Sequence, residues 1–181
     1  IAVMLALGVS IFAIRRTGPG TPRPLSRIDG ILVGVAAALT LLGLPWILAV
    51  LGVYVGDVPV IGGLFMSKEV PSGETLRAVH LGYHHGLDGV LFAIISLVLI
   101  RPLLQMGRSK LRFPLAFFVP FMFVYGILNA TQDFWEEQIM KRGWADGSLP
   151  SMLRPDLSIL WGMALVITVF IALILLRSTS E

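Results

Sequence analysis

"LSILWGMALVITVFIALILL", residues 157–176, is twenty residues without a formal charge, closed by Arg177. At 1.5 Å per residue a helix of that length covers about 30 Å, the thickness of a bilayer's hydrocarbon core. A run this long and uncharged reads as a transmembrane helix. The rest of the chain supports that reading. Of 181 residues, 56% are hydrophobic and only 14% charged, with a mean hydropathy of +0.85. A soluble domain carries roughly 25% charged residues. Here the charges gather between long apolar runs, the pattern of a polytopic membrane protein.

Working outward from residues 157–176, the next apolar run is 113–130, with Pro114 near its first turn and Pro120 inside. Before it lies 75–100, and before that 31–55, interrupted by "GLP" at 43–45, where proline removes a backbone donor and favours a kink. Residues 1–14 are apolar too, but fourteen residues reach only about 21 Å. They read as the end of a first span truncated at its N-terminus. The expected fold is therefore all-α: one integral membrane domain over 1–181, a bundle of five transmembrane helices. The apolar loop 56–73 is expected at the interface or against a neighbour. No internal repeat marks the paired halves found in many transporters.

Net charge is +3, with a computed pI near 9.7. The excess sits in short connectors rather than in a basic stripe with interleaved aromatics, so nucleic acid is not an expected partner. It fits orientation by cytoplasmic Lys and Arg instead. Nine basic residues fall on one side: Arg15, Arg16, Arg23, Arg27, Arg101, Arg108, Lys110, Arg112 and Arg177. Five fall on the other: Lys68, Arg77, Lys141, Arg142 and Arg154. The expectation is a plasma membrane of prokaryotic type, with the C-terminus cytoplasmic. Cysteine is absent, which excludes disulfides, thiolate metal sites, Cys-ligated iron–sulfur clusters and attached c-type haem.

Chemistry concentrates in "VHLGYHHGLDG", residues 79–89, which holds all three histidines. A continuous helix here stacks His80, His84 and Asp88 at i, i+4 and i+8, with His85 about 100° round from His84. Two imidazoles one turn apart can share a metal ion, and a carboxylate one turn on can be a third ligand or can orient an imidazole. If the core begins near Leu81, Asp88 lies roughly 10 Å below its edge. An ionisable group at that depth costs about 2.5–3.5 kcal/mol unless paired or wet. The expected partners are at the outer end of the next span. Asn129, Asp133 and Glu137 repeat the i, i+4, i+8 spacing, with Gln132 and Glu136 alongside. Imidazoles with carboxylates suit copper, zinc, iron or manganese.

Other readings stand beside this one. Histidines at a membrane boundary can simply bond loop carbonyls or headgroups, and their titration near neutral pH would serve proton relay or quinone contact. Asp133, Glu136 and Glu137 can form a solvated helix end balanced by Lys141 and Arg142. "HLGYHH" resembles a histidine box of membrane fatty-acid desaturases and hydroxylases over six residues, but three histidines are too few for the several boxes such enzymes use.

Ala78, Gly82, Gly86, Gly89 and Ala93 keep one face of the third span small, as Gly30 and Gly34 do for the second. Such faces let helix backbones approach closely, within the chain or against another subunit. Trp46, Trp135, Trp144 and Trp161 are expected as interface-belt residues. No nucleotide loop, nucleophile elbow or H-E-x-x-H motif appears. With no complete catalytic set, the leading expectation is an accessory or metal-ligating membrane subunit of a respiratory, photosynthetic or oxygenase-type complex. Its partners would be other membrane subunits and the bilayer. The alternatives are a stand-alone metal-dependent membrane enzyme and, less well supported, a small transporter.

Overall fold

A computed structural model describes residues 8, 11–12, 15, 26–66, 70, 72–77, 86–106, 110–150 and 158–177. Among these residues the protein is helical, with no β-strand. The elements are α1 (Arg27–Val50), a short α2 (Ile61–Phe65), α3 (Gly86–Gln105), α4 (Arg112–Phe134), a π-helical segment (Trp135–Met140) and α5 (Ile159–Arg177). Four of them, α1, α3, α4 (with the first residues of the π segment) and α5, are long and apolar enough to cross a membrane. The protein is thus a multi-pass helical chain of the membrane-embedded kind. Of the expected first span, 1–14, Gly8, Ile11 and Phe12 are described, each helical, as is Arg15 just after it; the remainder lies outside the described residues.

The ends of the helices follow from local chemistry. α1 opens on a capping box: the Asp29 amide donates to Ser26 Oγ (3.2 Å), while Asp29 Oδ2 accepts from the Ser26 amide (2.8 Å) and hydroxyl (3.0 Å). It stops at Val50 rather than running to residue 55. Gly52 takes φ +81°, and the Val53 amide returns to the Leu48 carbonyl at 2.8 Å, the six-to-one closure that a left-handed glycine permits. The third span also differs from expectation. Residues 72–77 are turns and bends, and the described helix runs Gly86–Gln105, five residues past Ile100. α4 extends beyond residue 130 to Phe134, where its hydrogen bonding lengthens into the π segment, as in the Lys141 amide donating to the Glu136 carbonyl five residues back; Gly143 at φ +71° then closes the segment, with the Trp144 amide on the Ile139 carbonyl.

Neighbouring helices run antiparallel. Asp29 near the start of α1 meets Arg101 near the end of α3 (3.8 Å), and Gly43 lies against Val90. Arg112 at the start of α4 donates to the Leu176 carbonyl at the end of α5 (3.0 Å). α3 and α4 form the inner pair. A Cβ placed on Gly89 would lie 2.6 Å from the Gly126 carbonyl oxygen and 2.8 Å from the Ala130 nitrogen; one on Gly126 would lie 2.5 Å from the Gly89 oxygen. Only glycine fits at this crossing. The small-residue face of α3 therefore packs within the chain, at least from Gly89 to Ala93. Below the crossing Phe92, Leu99, Leu103, Leu115, Val119 and Met122 fill the core. Phe117, Phe121, Tyr125 and Trp161 stack between α4 and α5. Half of Arg112–Glu137 is buried, against 6% of Arg27–Leu44 and 17% of Ile159–Arg177. The outer helices turn residues such as Ile31, Leu41, Val166 and Phe170 outward, an apolar surface that suits acyl chains and not water.

Candidate functional site

At the Gly89–Gly126 crossing the character of the seam changes. Toward the start of α4 it is apolar; toward its end come Asn129, Gln132 and Asp133. Asn129 is only 4% exposed and sits directly against Gly89, its Cβ 3.1 Å from where a Gly89 Cβ would be. One turn further out along α4 is the partly buried Asp133, and one turn further out along α3 is the buried Gly86. The glycines let the two backbones close in, so Asn129 is sealed rather than washed.

Asn129 Oδ1 and Asp133 Oδ2 are both buried, and neither accepts a hydrogen bond among the described residues. Buried oxygens are almost always satisfied, and an isolated buried acceptor costs about 1–3 kcal/mol. The side chains around them are already engaged. Gln132 Nε2 donates to Glu136 Oε1 at 3.2 Å, and Lys141 Nζ pairs with Glu137 Oε2 at 2.7 Å. Arg142 donates to the Gly63 carbonyl of α2 (3.1 Å) and lies 5.2 Å from the Trp144 ring centre. Trp135 Nε1 donates to the Gly147 carbonyl at 2.9 Å. The end of α4 is thus a braced segment and not a frayed helix terminus.

Of the expected site residues, Asp133 and Glu137 are adjacent on this segment, with Glu137 held by Lys141. Asp88 lies in the first turn of α3 and is exposed, whereas Gly86 and Gly89 on either side of it are buried. A carboxylate there is favoured by the helix N-terminus. His80, His84 and His85, and with them the proposed stacking of 80, 84 and 88, lie outside the described residues. Among the described residues no three His, Cys, Asp or Glu side chains gather at metal-ligand spacing.

Several features of the site carry no mark in composition. Gly126 sits in an apolar run, and only its spacing of four from Ala130 hints at a contact face. The π-helical turn, a geometry often found at functional sites, has no sequence signature at all. Trp161 belongs to the partly buried aromatic stack between α4 and α5, while Trp144 stands exposed beside Arg142. No family model matches the chain, and no curated protein or solved structure matches it either.

Proposed function

We propose that this chain is an integral membrane subunit of a larger assembly of the respiratory, photosynthetic or oxygenase type, and that its α3–α4 seam contributes ligands to a metal ion at one membrane face. The observation that carries this reading is the pair of buried, unsatisfied oxygens, Asn129 Oδ1 and Asp133 Oδ2, beside a glycine crossing. A cation is the simplest partner for two acceptors, one of them on a carboxylate. The chain just before Gly86 supplies His80, His84 and His85 in sequence, and Glu137 lies one turn beyond Asp133. Oxygen and imidazole donors together suit zinc, copper(II) or iron.

Charge distribution along the sequence supports the choice of end. Nine of the eleven acidic residues fall in the connections and helix ends on the α4 C-terminal side, against five of the fourteen basic ones. That end attracts cations, and the opposite, basic end is the one proposed to face the cytoplasm. Two oxygens on one helix are not a complete catalytic set, which favours a subunit over a self-sufficient enzyme.

The test is purification from native membranes in mild detergent, followed by size exclusion, identification of co-eluting polypeptides and elemental analysis. The expected result is co-elution with other membrane proteins and a stoichiometric transition metal. A lone, metal-free chain would contradict the reading. A lone, metal-loaded chain would favour the stand-alone enzyme.

A further inference from the structure

The connection after α1 is folded unlike a solvated loop. Several of its apolar side chains point outward: Val60 is 83% exposed and Leu51 70%, with Val53, Val58 and Ile61 exposed beside them, while Val55 and Met66 turn inward. Part of its backbone, in contrast, is satisfied from within. The amides of Val53, Val58, Ile61, Gly62 and Met66 all donate to carbonyls two to five residues back. Val60 is held at φ 68°, ψ −54°, the centre of a γ-turn closed by the Ile61 amide on the Pro59 carbonyl at 2.8 Å. That is a rare and strained geometry, and for a β-branched residue an outlier. Gly62 is packed against the Gly56 carbonyl where no side chain would fit. Strain is thus spent on a turn whose visible product is an apolar side chain thrust outward.

Water gives no reason to fold a loop this way, since it would solvate the backbone and penalise the valines. The acyl boundary of a bilayer gives both reasons at once: apolar side chains gain by immersion, and backbone amides must find partners inside the segment. The segment follows directly on α1, whose Ile31, Leu41, Leu42 and Leu44 are exposed apolar residues as well. Arg142 braces it through the Gly63 carbonyl, and the exposed Trp144 indole lies beside that guanidinium, a basic and aromatic pair of the kind that marks the headgroup layer.

We propose that residues 51–66 form an interfacial anchor whose occupant is lipid, with Val60 at its deepest point. The proposal rests on the membrane character of the chain and not on the metal-site reading. The protein has no cysteine, so single labels can be placed cleanly. Val60→Cys and Val53→Cys carry an environment-sensitive fluorophore in nanodiscs of phosphatidylcholine with phosphatidylglycerol; Asp146→Cys is the aqueous control and Val169→Cys, on the outer side of α5, the core control. Lipid spin-labelled near the headgroup should quench the 53 and 60 labels roughly twofold or more beyond the 146 label, with blue-shifted emission. Aqueous iodide should quench the 146 label most. Labels at 53 and 60 reached by iodide and untouched by the lipid quencher would overturn the anchor. So would labels wet in nanodiscs but shielded in native membranes, the signature of a protein partner. Failure of deeply spin-labelled lipid to quench the 169 label would instead indict the membrane placement itself. Two positions are used so that misfolding of one variant, seen by size exclusion, leaves the other to decide.

Discussion

The two ends of the α3–α4 pair are built on opposite principles. At the start of α4, Leu103, Met106, Leu115 and Ala116 interlock, and Arg112 closes the end on the Leu176 carbonyl. Polar groups there are few and answered. At the far end, past the Gly89–Gly126 crossing, the same two helices bury Asn129 and Asp133 with acceptors unanswered among the described residues. One end is a core in the ordinary sense, held by apolar burial and close contact. The other gives up stability, and proteins concentrate such departures at sites that do something.

The largest expected effect comes from breaking the crossing that separates them. Gly126→Val drives a branched side chain into the Gly89 carbonyl and the Ala93 nitrogen, backbone atoms that cannot rotate aside. Overpacking of this kind costs about 1–3 kcal/mol or more, so thermal unfolding in detergent should show a large loss of stability or no folded protein. Gly34→Val is the matched control on α1. Nothing lies within 4 Å of its would-be Cβ, and it should unfold near the parent temperature.

A second substitution sharpens the contrast between orphaned oxygens. Thr168 on α5 is also fully buried with an unpartnered hydroxyl, but it lies within the uncharged apolar run of residues 159–176. Thr168→Val should stabilise by about 1 kcal/mol in thermal or denaturant unfolding, because it removes an unsatisfied group and little else. Asn129→Leu removes an acceptor of equal burial, but at the polar end. Its expected signature is different: bound metal falls. If Asn129→Leu behaved as Thr168→Val does, gaining stability with metal content unchanged, the two orphans would be equivalent and the distinction between the ends would lapse.

The smallest effect is expected at the rim. Glu137 and Lys141 form an i, i+4 pair, both partly exposed. Such pairs contribute about 0.3–0.5 kcal/mol, so Lys141→Gln should shift unfolding by no more than that, and less at high salt. Glu137 is also a proposed ligand, so a rise in metal affinity on freeing it from Lys141 would place it in the site.

How much of this was legible in the sequence depends on what marked each boundary. Residues 157–176 matched α5 closely because charge flanks them. The second span reads five residues too long because Gly52 lies in an apolar run, and the left-handed turn it makes changes no hydropathy. The third reads as starting at 75, whereas residues 72–77 fold as turns and bends around Gly73 at φ +88°. The polar stripe Asn129, Asp133 and Glu137 was visible from spacing alone, since charged and amide groups are rare enough in such a chain to stand out. Its burial was not, because that depends on Gly89 and Gly126 meeting, a contact between residues thirty-seven apart in the sequence. The strained Val60 turn was likewise invisible, being a backbone choice with no compositional trace.

The buried end of the seam, and not the exposed face of α3, is proposed to hold the ion. Metal content and affinity of the membrane-extracted protein, compared between Asp133→Asn and Asp88→Asn, test it most directly. The prediction is that Asp133→Asn loses affinity by about 10-fold to 100-fold, as removal of a ligand or its close support does, while Asp88→Asn keeps the parent value. Equal metal binding in parent and Asp133→Asn proteins, both folded, would contradict it.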